Sequence, residues 1–253
     1  SSLVMKGKKR IFVCVELSDS DVDAVARTIE LLQCQHPWKQ LRNHTRWVNP
    51  RSSHLTLRFL GDMGDEEIET LRSKLDLELA ALGNLEPFPL AAASLGTFQR
   101  KGLPSVLWLG LTNETTKKLQ MVERCVRRAA GGEGEERFSP HITLARFSFK
   151  GREQDGRTLL RKLRTSSGEG GQQQEDFSKL ISGKDGAILD YDVGLMGVVD
   201  RVCIMQSELS REGAKYTPLH ILRWKGAADA DGREAGGGRE AAASSSLPPT
   251  PPD

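Results

Sequence analysis

Short runs of alternating apolar and polar residues recur along most of the chain. The first run, RIFVCVEL at residues 10–17, is rich in β-branched and aromatic side chains, which favours a strand. Pro, Asn and Ser break the runs, as in NPRSS at residues 49–53, and are typical of turns. The same pattern predicts further strands at residues 45–48, 54–60, 88–95, 105–111, 141–149, 199–209 and 216–224.

Three longer segments instead have apolar residues at helical spacing. The first begins after Ser18 or Asp19, either of which is a suitable N-cap, and the second covers about residues 65–82. The third covers residues 114–130, and a short helix is predicted at residues 157–163. Strands mixed with a few helices predict an α+β fold of two related lobes. A doubly wound nucleotide-binding sheet fits less well, because no Gly-rich loop follows the first strand.

Composition divides the 253-residue chain into a folded part and flanking segments. We predict a flexible N-terminus at residues 1–8, one domain at residues 9–225 and a Gly-, Ala-, Ser- and Pro-rich disordered tail at residues 226–253. Within the domain, TSSGEGGQQQ predicts a flexible insertion at residues 165–186.

Charge and cysteine content narrow the class of protein. The net charge is +2, and the acidic tail leaves the domain mildly basic, which suits an anionic ligand but not a protein that coats nucleic acid. The four cysteines are scattered singly, which is typical of a reducing compartment. No apolar run reaches the length of a membrane span and the first residues lack a signal-peptide pattern, so we expect a cytoplasmic protein with no membrane association.

Two of the predicted strands carry the same unusual polar pair. HLTL begins at His54 and HITL begins at His141, 87 residues later. Residues i and i+2 of a strand share a face, so His54 and Thr56 face one way, and His141 and Thr143 do the same in the second strand. If the two lobes pack about a twofold axis, two imidazoles and two hydroxyls meet in one cleft.

Such a quartet suits chemistry at a phosphodiester. A neutral imidazole takes a proton from water while a protonated one gives a proton to the leaving oxygen, and Thr hydroxyls donate hydrogen bonds to the phosphate. Either motif alone is better explained by a structural histidine bonded to a backbone carbonyl. Two independent structural histidines, however, have no reason to share one His-x-Thr-Leu frame. His36, His44 and His220 have no partner at metal-ligand spacing, so no metal site is expected.

The ordered set of motifs resembles a known family. HLTLRFLGD and PHITLARF are similar to the two signatures of the two-histidine (2H) phosphoesterases, and RIFVCVEL, VLWLGL and VDRVCIMQSELSREGAKYTPL narrow the resemblance to the LigT-like RNA 2′,3′-cyclic phosphodiesterases, also called 2′-5′ RNA ligases. The resemblance covers residues 9–224 and implies two pseudo-symmetric α+β lobes with antiparallel sheets around a central cleft.

The resemblance also implies an activity and a set of site residues. The family opens a 2′,3′-cyclic phosphate at an RNA 3′ end to a 2′-phosphate without a metal or cofactor, and some members join tRNA halves. It assigns catalysis to His54 and His141, and phosphate binding to Thr56 and Thr143. The first histidine is usually taken as the acid and the second as the base, but the sequence leaves that direction open.

Two further contacts follow from the resemblance, five residues after each histidine. They are Phe59, for stacking on the terminal base, and Arg146, for the phosphate. Strict alternation turns a residue at i+5 away from the histidine, so both assignments require a bulge or the end of the strand. Arg58 is the alternative if the strand stays regular.

The expected partner is therefore RNA with a 2′,3′-cyclic end, bound by a monomer. The alternatives keep the catalytic pair and change the substrate to a 2′-5′ oligonucleotide, a cyclic ADP-ribose phosphate or an RNA 3′ end that is trimmed. A nucleotide- or RNA-binding module without turnover is a further alternative.

Overall fold

The computed structural model describes residues 7–83, 85–134, 137–149, 151, 153–165, 188–190, 193–195, 197–210 and 213–223. The predicted insertion, apart from residue 165, and the predicted tail lie outside these residues. The five helices of this part are α1 (Asp19–Cys34), α2 (His36–Gln40), α3 (Asp65–Ala80), α4 (Asn113–Ala129) and α5 (Glu153–Thr165). The strands are β1 (Lys9–Glu16), β2 (Thr45–Trp47), β3 (His54–Met63), β4 (Phe88–Pro89), β5 (Ala92–Arg100), β6 (Leu103–Leu111), β7 (His141–Phe147), β8 (Ile188–Asp190), β9 (Val198–Val199), β10 (Arg201–Ser210) and β11 (Gly213–Arg223).

Nine of these strands form one antiparallel sheet. Its order is β11-β10-β1-β3-β7-β6-β5-β8, and β2 also pairs with β7, on the edge that β3 occupies. The two sheets expected from the sequence meet at a single residue pair, Leu55 of β3 and Ile142 of β7. The α+β class is confirmed, and the two halves of the sheet are joined at this seam.

The helices lie on one face of the sheet. Apolar residues of α1, α3, α4 and α5 form one cluster with the strand residues that point towards them, such as Val13, Leu55 and Ile142. The opposite face carries a much smaller cluster in its first half, formed by Phe12, Cys14, Cys203 and Met205 with Tyr216 against it. This second face is therefore the one left open to a ligand, and we call it the open face.

Local signals explain where the main helices begin. The Ser18 hydroxyl accepts a hydrogen bond from the Asp21 amide at the start of α1, and the Thr112 hydroxyl accepts one from the Thr115 amide at the start of α4. At the start of α3, the Glu67 carboxylate accepts one from the Gly64 amide. No helix in the described part of the chain is both long and apolar enough to cross a membrane.

Some predicted boundaries were wrong. The strand predicted at residues 88–95 is in fact two strands. β4 pairs with β9 in a separate two-stranded sheet, whereas β5 belongs to the main sheet and continues to Arg100. β5 and β6 form a hairpin whose turn has positive φ at Lys101 (53°) and Gly102 (73°). The α5 helix is longer than the predicted residues 157–163, and α2 and β8 were not predicted.

Candidate active site

The two His-x-Thr motifs begin neighbouring strands. Leu55 and Leu57 of β3, and Ile142 and Leu144 of β7, are buried against the helices. The histidines and threonines alternate with them on the open face and are only partly buried. The faces predicted from the alternation of residues are confirmed.

The register of the seam sets the four polar side chains against one another. Because Leu55 pairs with Ile142 in an antiparallel arrangement, His54 lies opposite Thr143 and Thr56 lies opposite His141. Both of these pairs of side chains flank the single bridge between the two strands. Neither threonine hydroxyl has a hydrogen-bond partner among the described residues. The four side chains therefore form a compact group that offers two imidazoles and two available hydroxyls.

The two imidazoles are held by the same hydrogen bond. Nδ1 of His54 lies 2.9 Å from the carbonyl oxygen of Ser52, and Nδ1 of His141 lies 2.8 Å from that of Ser139. A carbonyl oxygen only accepts, so Nδ1 carries the proton and donates in both rings. Nε2 of each ring is thus the atom that carries the lone pair when the ring is neutral and the second proton when it is charged.

The surroundings lower the pKa of both histidines below the ordinary value of 6.5. Removal from water is the largest cause, because burial disfavours the charged ring. The bonds to the Ser52 and Ser139 carbonyls oppose this effect, while the positive charge of Arg146 adds to it at both rings. The charge of His141 lowers the pKa of His54 further.

Both strands contain a bulge at the third residue after the histidine. On β3, Thr56 pairs with Cys14 of β1 and Arg58 pairs with Val13, so Leu57 is an extra residue. On β7, Thr143 pairs with Trp108 of β6 and Ala145 pairs with Leu107, so Leu144 is extra. The bulge that the assignments at i+5 required is therefore present twice.

The bulges return Phe59 and Arg146 to the open face. The Phe59 ring lies 5.7 Å from that of Phe12, which is itself 4.9 Å from the imidazole of His54. Phe59 is 62% exposed, as a residue that stacks on a ligand must be. The alternative residue, Arg58, was the wrong choice, because the bulge turns it to the helix side, where Nη1 lies 3.1 Å from Oε1 of Glu123.

Aromatic rings that the sequence analysis missed enclose each histidine. The His54 imidazole lies 4.9 Å from the rings of Phe12 and Tyr216, and the His141 imidazole lies 4.9 Å from Phe98 and 6.3 Å from Trp108. These residues come from four different strands, so no spacing along the chain relates them. They keep water from the rings and supply the burial that lowers the two pKa values.

Two glycines make room for one of these rings. A Cβ atom on Gly96 would lie 2.1 Å from the Trp108 indole, and one on Gly110 would lie 2.8 Å from it. The indole therefore lies flat against the strands beside His141. Its Nε1 is buried with no hydrogen-bond partner among the described residues.

The described part of the site has no cluster of side chains suited to binding a metal ion. Within the described ranges, no three His, Cys, Asp or Glu side chains lie close enough together to hold a metal ion. Besides the Thr hydroxyls, the aromatic rings and Arg146, the open face carries the carboxylate of Glu16, the cross-strand partner of His54 on β1.

Comparisons with known proteins agree with this geometry. Residues 23–168 match the family model described as the 2′-5′ RNA ligase superfamily. An RNA 2′,3′-cyclic phosphodiesterase of Methanothermobacter thermautotrophicus is 26% identical over 217 residues, which are 85% of this chain and 99% of that protein. Another from Aeropyrum pernix is 30% identical over 179 residues, or 70% of this chain and 84% of that protein.

A solved structure matches the fold. The crystal structure of Escherichia coli LigT in its apo form aligns over 87% of this chain and 99% of its own, with a TM-score of 0.57 and 20% identity. The family model spans more than half of the chain and includes both His-x-Thr strands. The chain therefore belongs to the 2′-5′ RNA ligase superfamily.

Proposed function

We propose that this protein hydrolyses the 2′,3′-cyclic phosphate at the 3′ end of RNA to a 2′-phosphate. The observation that carries the proposal is the pair of histidines whose Nδ1 atoms bond backbone carbonyls, which leaves Nε2 for proton transfer, beside two available Thr hydroxyls on one open face. The names of the relatives from M. thermautotrophicus and A. pernix support the same substrate.

The two histidines divide the proton transfers of the reaction. The neutral one accepts a proton at Nε2 from the attacking water, and the new bond forms between the water oxygen and phosphorus. The protonated one donates its Nε2 proton to the 3′ oxygen as the bond from that oxygen to phosphorus breaks. The products are a 2′-phosphomonoester and a free 3′ hydroxyl, and the histidines end with their protonation states exchanged.

The other open-face residues hold the phosphate in line for this exchange. The hydroxyls of Thr56 and Thr143 donate hydrogen bonds to the non-bridging oxygens, whose charge grows as water adds. The guanidinium of Arg146 offers further charge-assisted hydrogen bonds to the same group, and the exposed Phe59 ring stacks on the terminal base. These groups balance the charge of the transition state with no metal ion required.

The proposal extends to the setting of the reaction. Both half-sites come from one chain, so a monomer contains a whole site. All four cysteines are free, in keeping with a cytoplasmic protein. tRNA halves are the proposed source of the cyclic end, and 2′-5′ ligation would reverse the same proton transfers.

The test uses a short RNA that ends in a 2′,3′-cyclic phosphate, incubated in EDTA with the wild type, His54→Ala and His141→Ala. We expect a 2′-phosphate from the wild type and a loss of several orders of magnitude in rate from each variant, since each removes one proton transfer, worth roughly 10²–10⁴-fold. Mass spectrometry with isomer-specific digestion identifies the product.

Parallel substrates separate the proposal from its alternatives. Faster hydrolysis of linear 2′-5′ bonds, of a cyclic ADP-ribose phosphate or of unmodified 3′ ends would assign the site to that substrate instead. Strong inhibition by EDTA would bring a metal ion into the reaction. Binding of the RNA without any turnover would leave a binding module.

A further inference from the structure

A second arginine lies directly opposite Arg146. In the pairing of β2 with β7, Arg46 is the cross-strand partner of Arg146. The neighbours of Arg46 on β2 point towards the helices, since Trp47 packs against the main core. Arg46 therefore points to the open face, where Arg146 already lies, and both residues are exposed.

Two like charges in this position are unusual. Side chains directly opposite in an antiparallel pair approach to about 5 Å between Cβ atoms, and like charges there destabilise the sheet. Neither arginine has an ion pair or hydrogen bond with any residue that the structure describes. Two guanidinium groups without a carboxylate are suited to binding an anion between them.

The pair lies at a definite distance from the histidines. Along β7, Arg146 follows Thr143 by two ladder positions once the bulge at Leu144 is removed, which is about 7 Å of strand. This distance lets the guanidinium of Arg146, which has five donors, contact the phosphate held by the Thr hydroxyls and also face a second phosphate together with Arg46. It is comparable to the spacing of consecutive phosphates along a single nucleic acid strand.

The direction of the pair also fits a nucleotide. β3 and β7 run antiparallel, so Phe59 and Arg146 lie at opposite ends of the quartet of His54, Thr56, His141 and Thr143. In a ribose, the 2′ and 3′ oxygens lie between C1′, which carries the base, and C4′, which carries the C5′ group whose oxygen bears the 5′ phosphate. A terminal nucleotide with its cyclic phosphate at the histidines and its base on Phe59 directs its 5′ phosphate to the arginine pair.

We propose that Arg46 and Arg146 together bind the phosphate on the 5′ side of the terminal nucleotide. This proposal rests on the function proposed above and makes it more specific. The substrate is then recognised by two successive phosphates, and a nucleoside 2′,3′-cyclic phosphate, which has only one, is a poorer substrate than an RNA end.

The test compares two product-like ligands that differ in this phosphate alone, adenosine 2′-phosphate and adenosine 2′,5′-bisphosphate. Isothermal titration calorimetry gives the ratio of their dissociation constants for the wild type, Arg46→Gln and Arg46→Lys. We expect the wild type to bind the bisphosphate roughly tenfold more tightly or better, as one charge-assisted contact provides. We expect Arg46→Gln to lose most of this preference and Arg46→Lys to keep part of it.

Arg124→Gln is the matched control, because Arg124 is an exposed arginine on α4, on the helix side of the sheet. It should leave the ratio of the two dissociation constants as in the wild type.

The same variants are then assayed for kcat/KM on adenosine 2′,3′-cyclic phosphate with and without a 5′ phosphate. Removing one phosphate contact also lowers the slope of log affinity against log salt by about 0.7 for a single-stranded oligonucleotide.

The outcomes separate this proposal from the function. If the wild type hydrolyses both cyclic phosphates and Arg46→Gln leaves both ratios unaltered, the second phosphate site is wrong and the activity stands. If the wild type hydrolyses neither cyclic phosphate while Arg46→Gln weakens the binding of the bisphosphate alone, the proposed activity is wrong and the second site stands. Failure of the wild type to prefer the bisphosphate overturns the second site in either case.

Discussion

The charge of Arg146 affects both histidines of the candidate site at once. It lowers the pKa of His54 and of His141, in the same direction as their burial. Arg146 has therefore two effects in the proposed reaction, since it attracts the phosphate and disfavours the charged form of both imidazoles.

This coupling predicts the pH dependence of the wild type and of one variant. A reaction that needs one neutral and one charged histidine has a bell-shaped profile of kcat/KM, and both limbs are expected below the ordinary 6.5. Arg146→Gln removes a positive charge, which raises both pKa values and moves the maximum to higher pH. NMR titration of the imidazole protons in the free protein measures the shift directly, with Arg124→Gln as the control. Unaltered titration curves in Arg146→Gln would show that its charge does not reach the rings.

At the residue scale, the sequence was informative where one motif repeats. The repeated His-x-Thr-Leu motif predicted which face of its strand each of His54 and His141 lies on, because the alternation of side chains in a strand depends only on local geometry. The aromatic rings of Phe98 and Tyr216 were missed, because they approach the histidines through sheet pairings that join distant parts of the chain. Arg46 was missed for the same reason.

At the scale of elements, the bulge on β3 is stabilised from the helix side. Arg58, which the bulge turns away from the open face, pairs with Glu123 of α4, and the Glu123 side chain is only 4% exposed. The pair thus connects the strand that carries His54 and Phe59 to the helix layer.

Removal of one partner should be costly. Arg58→Met leaves the carboxylate of Glu123 buried without its cation, and we expect a loss of about 3 kcal/mol in the free energy of unfolding. The double variant Arg58→Met/Glu123→Leu should recover most of this loss, because no buried charge remains. Urea denaturation of the two variants and of Glu123→Leu completes a double-mutant cycle. Additive effects in that cycle would contradict a coupled pair.

The boundaries of the strands were harder to predict than their existence. β6 begins at Leu103, two residues before the predicted start at residue 105, and Pro104, a residue type rare inside strands, pairs with Gln99 beside an irregularity in the ladder. Lys101 adopts a left-handed conformation in the turn, which a non-glycine residue rarely does. The bulges were predictable only because the resemblance demanded that Phe59 and Arg146 face the histidines.

At the scale of the whole molecule, the two histidines lower the free energy of unfolding at acidic pH. Both histidines have a lower pKa in the folded protein than in the unfolded chain, so the unfolded chain binds more protons as the pH falls through 6.5. Their contribution is fully present above that value and is lost progressively towards the lowered pKa values of the folded state.

Unfolding at several pH values tests this. The free energy of unfolding of the wild type should decrease between pH 7.5 and pH 5 more steeply than that of the double variant His54→Asn/His141→Asn, which has no imidazole to charge at these positions. Other groups titrate in both proteins, so the difference between the two curves isolates the histidines. Parallel curves would mean that neither ring is hindered from taking up a proton in the fold.

The domain organisation was predictable only in part. The described elements extend from Lys9 to Arg223, and the domain bounds at residues 9–225 stay a prediction. That the two halves share one sheet was not predictable, because a single pair, Leu55 with Ile142, joins them. The flexible insertion and the tail remain predictions.

The antiparallel pairing at the seam has a consequence for the choice of product isomer. A half-turn about the Leu55 and Ile142 pair exchanges His54 with His141 and Thr56 with Thr143, so the quartet alone has no preferred direction along the substrate. The same half-turn would place Phe59 where Arg146 lies, and an aromatic ring and a guanidinium are not interchangeable. In the proposed reaction, this difference between Phe59 and Arg146 sets the polarity of the bound strand and, with it, the oxygen that departs.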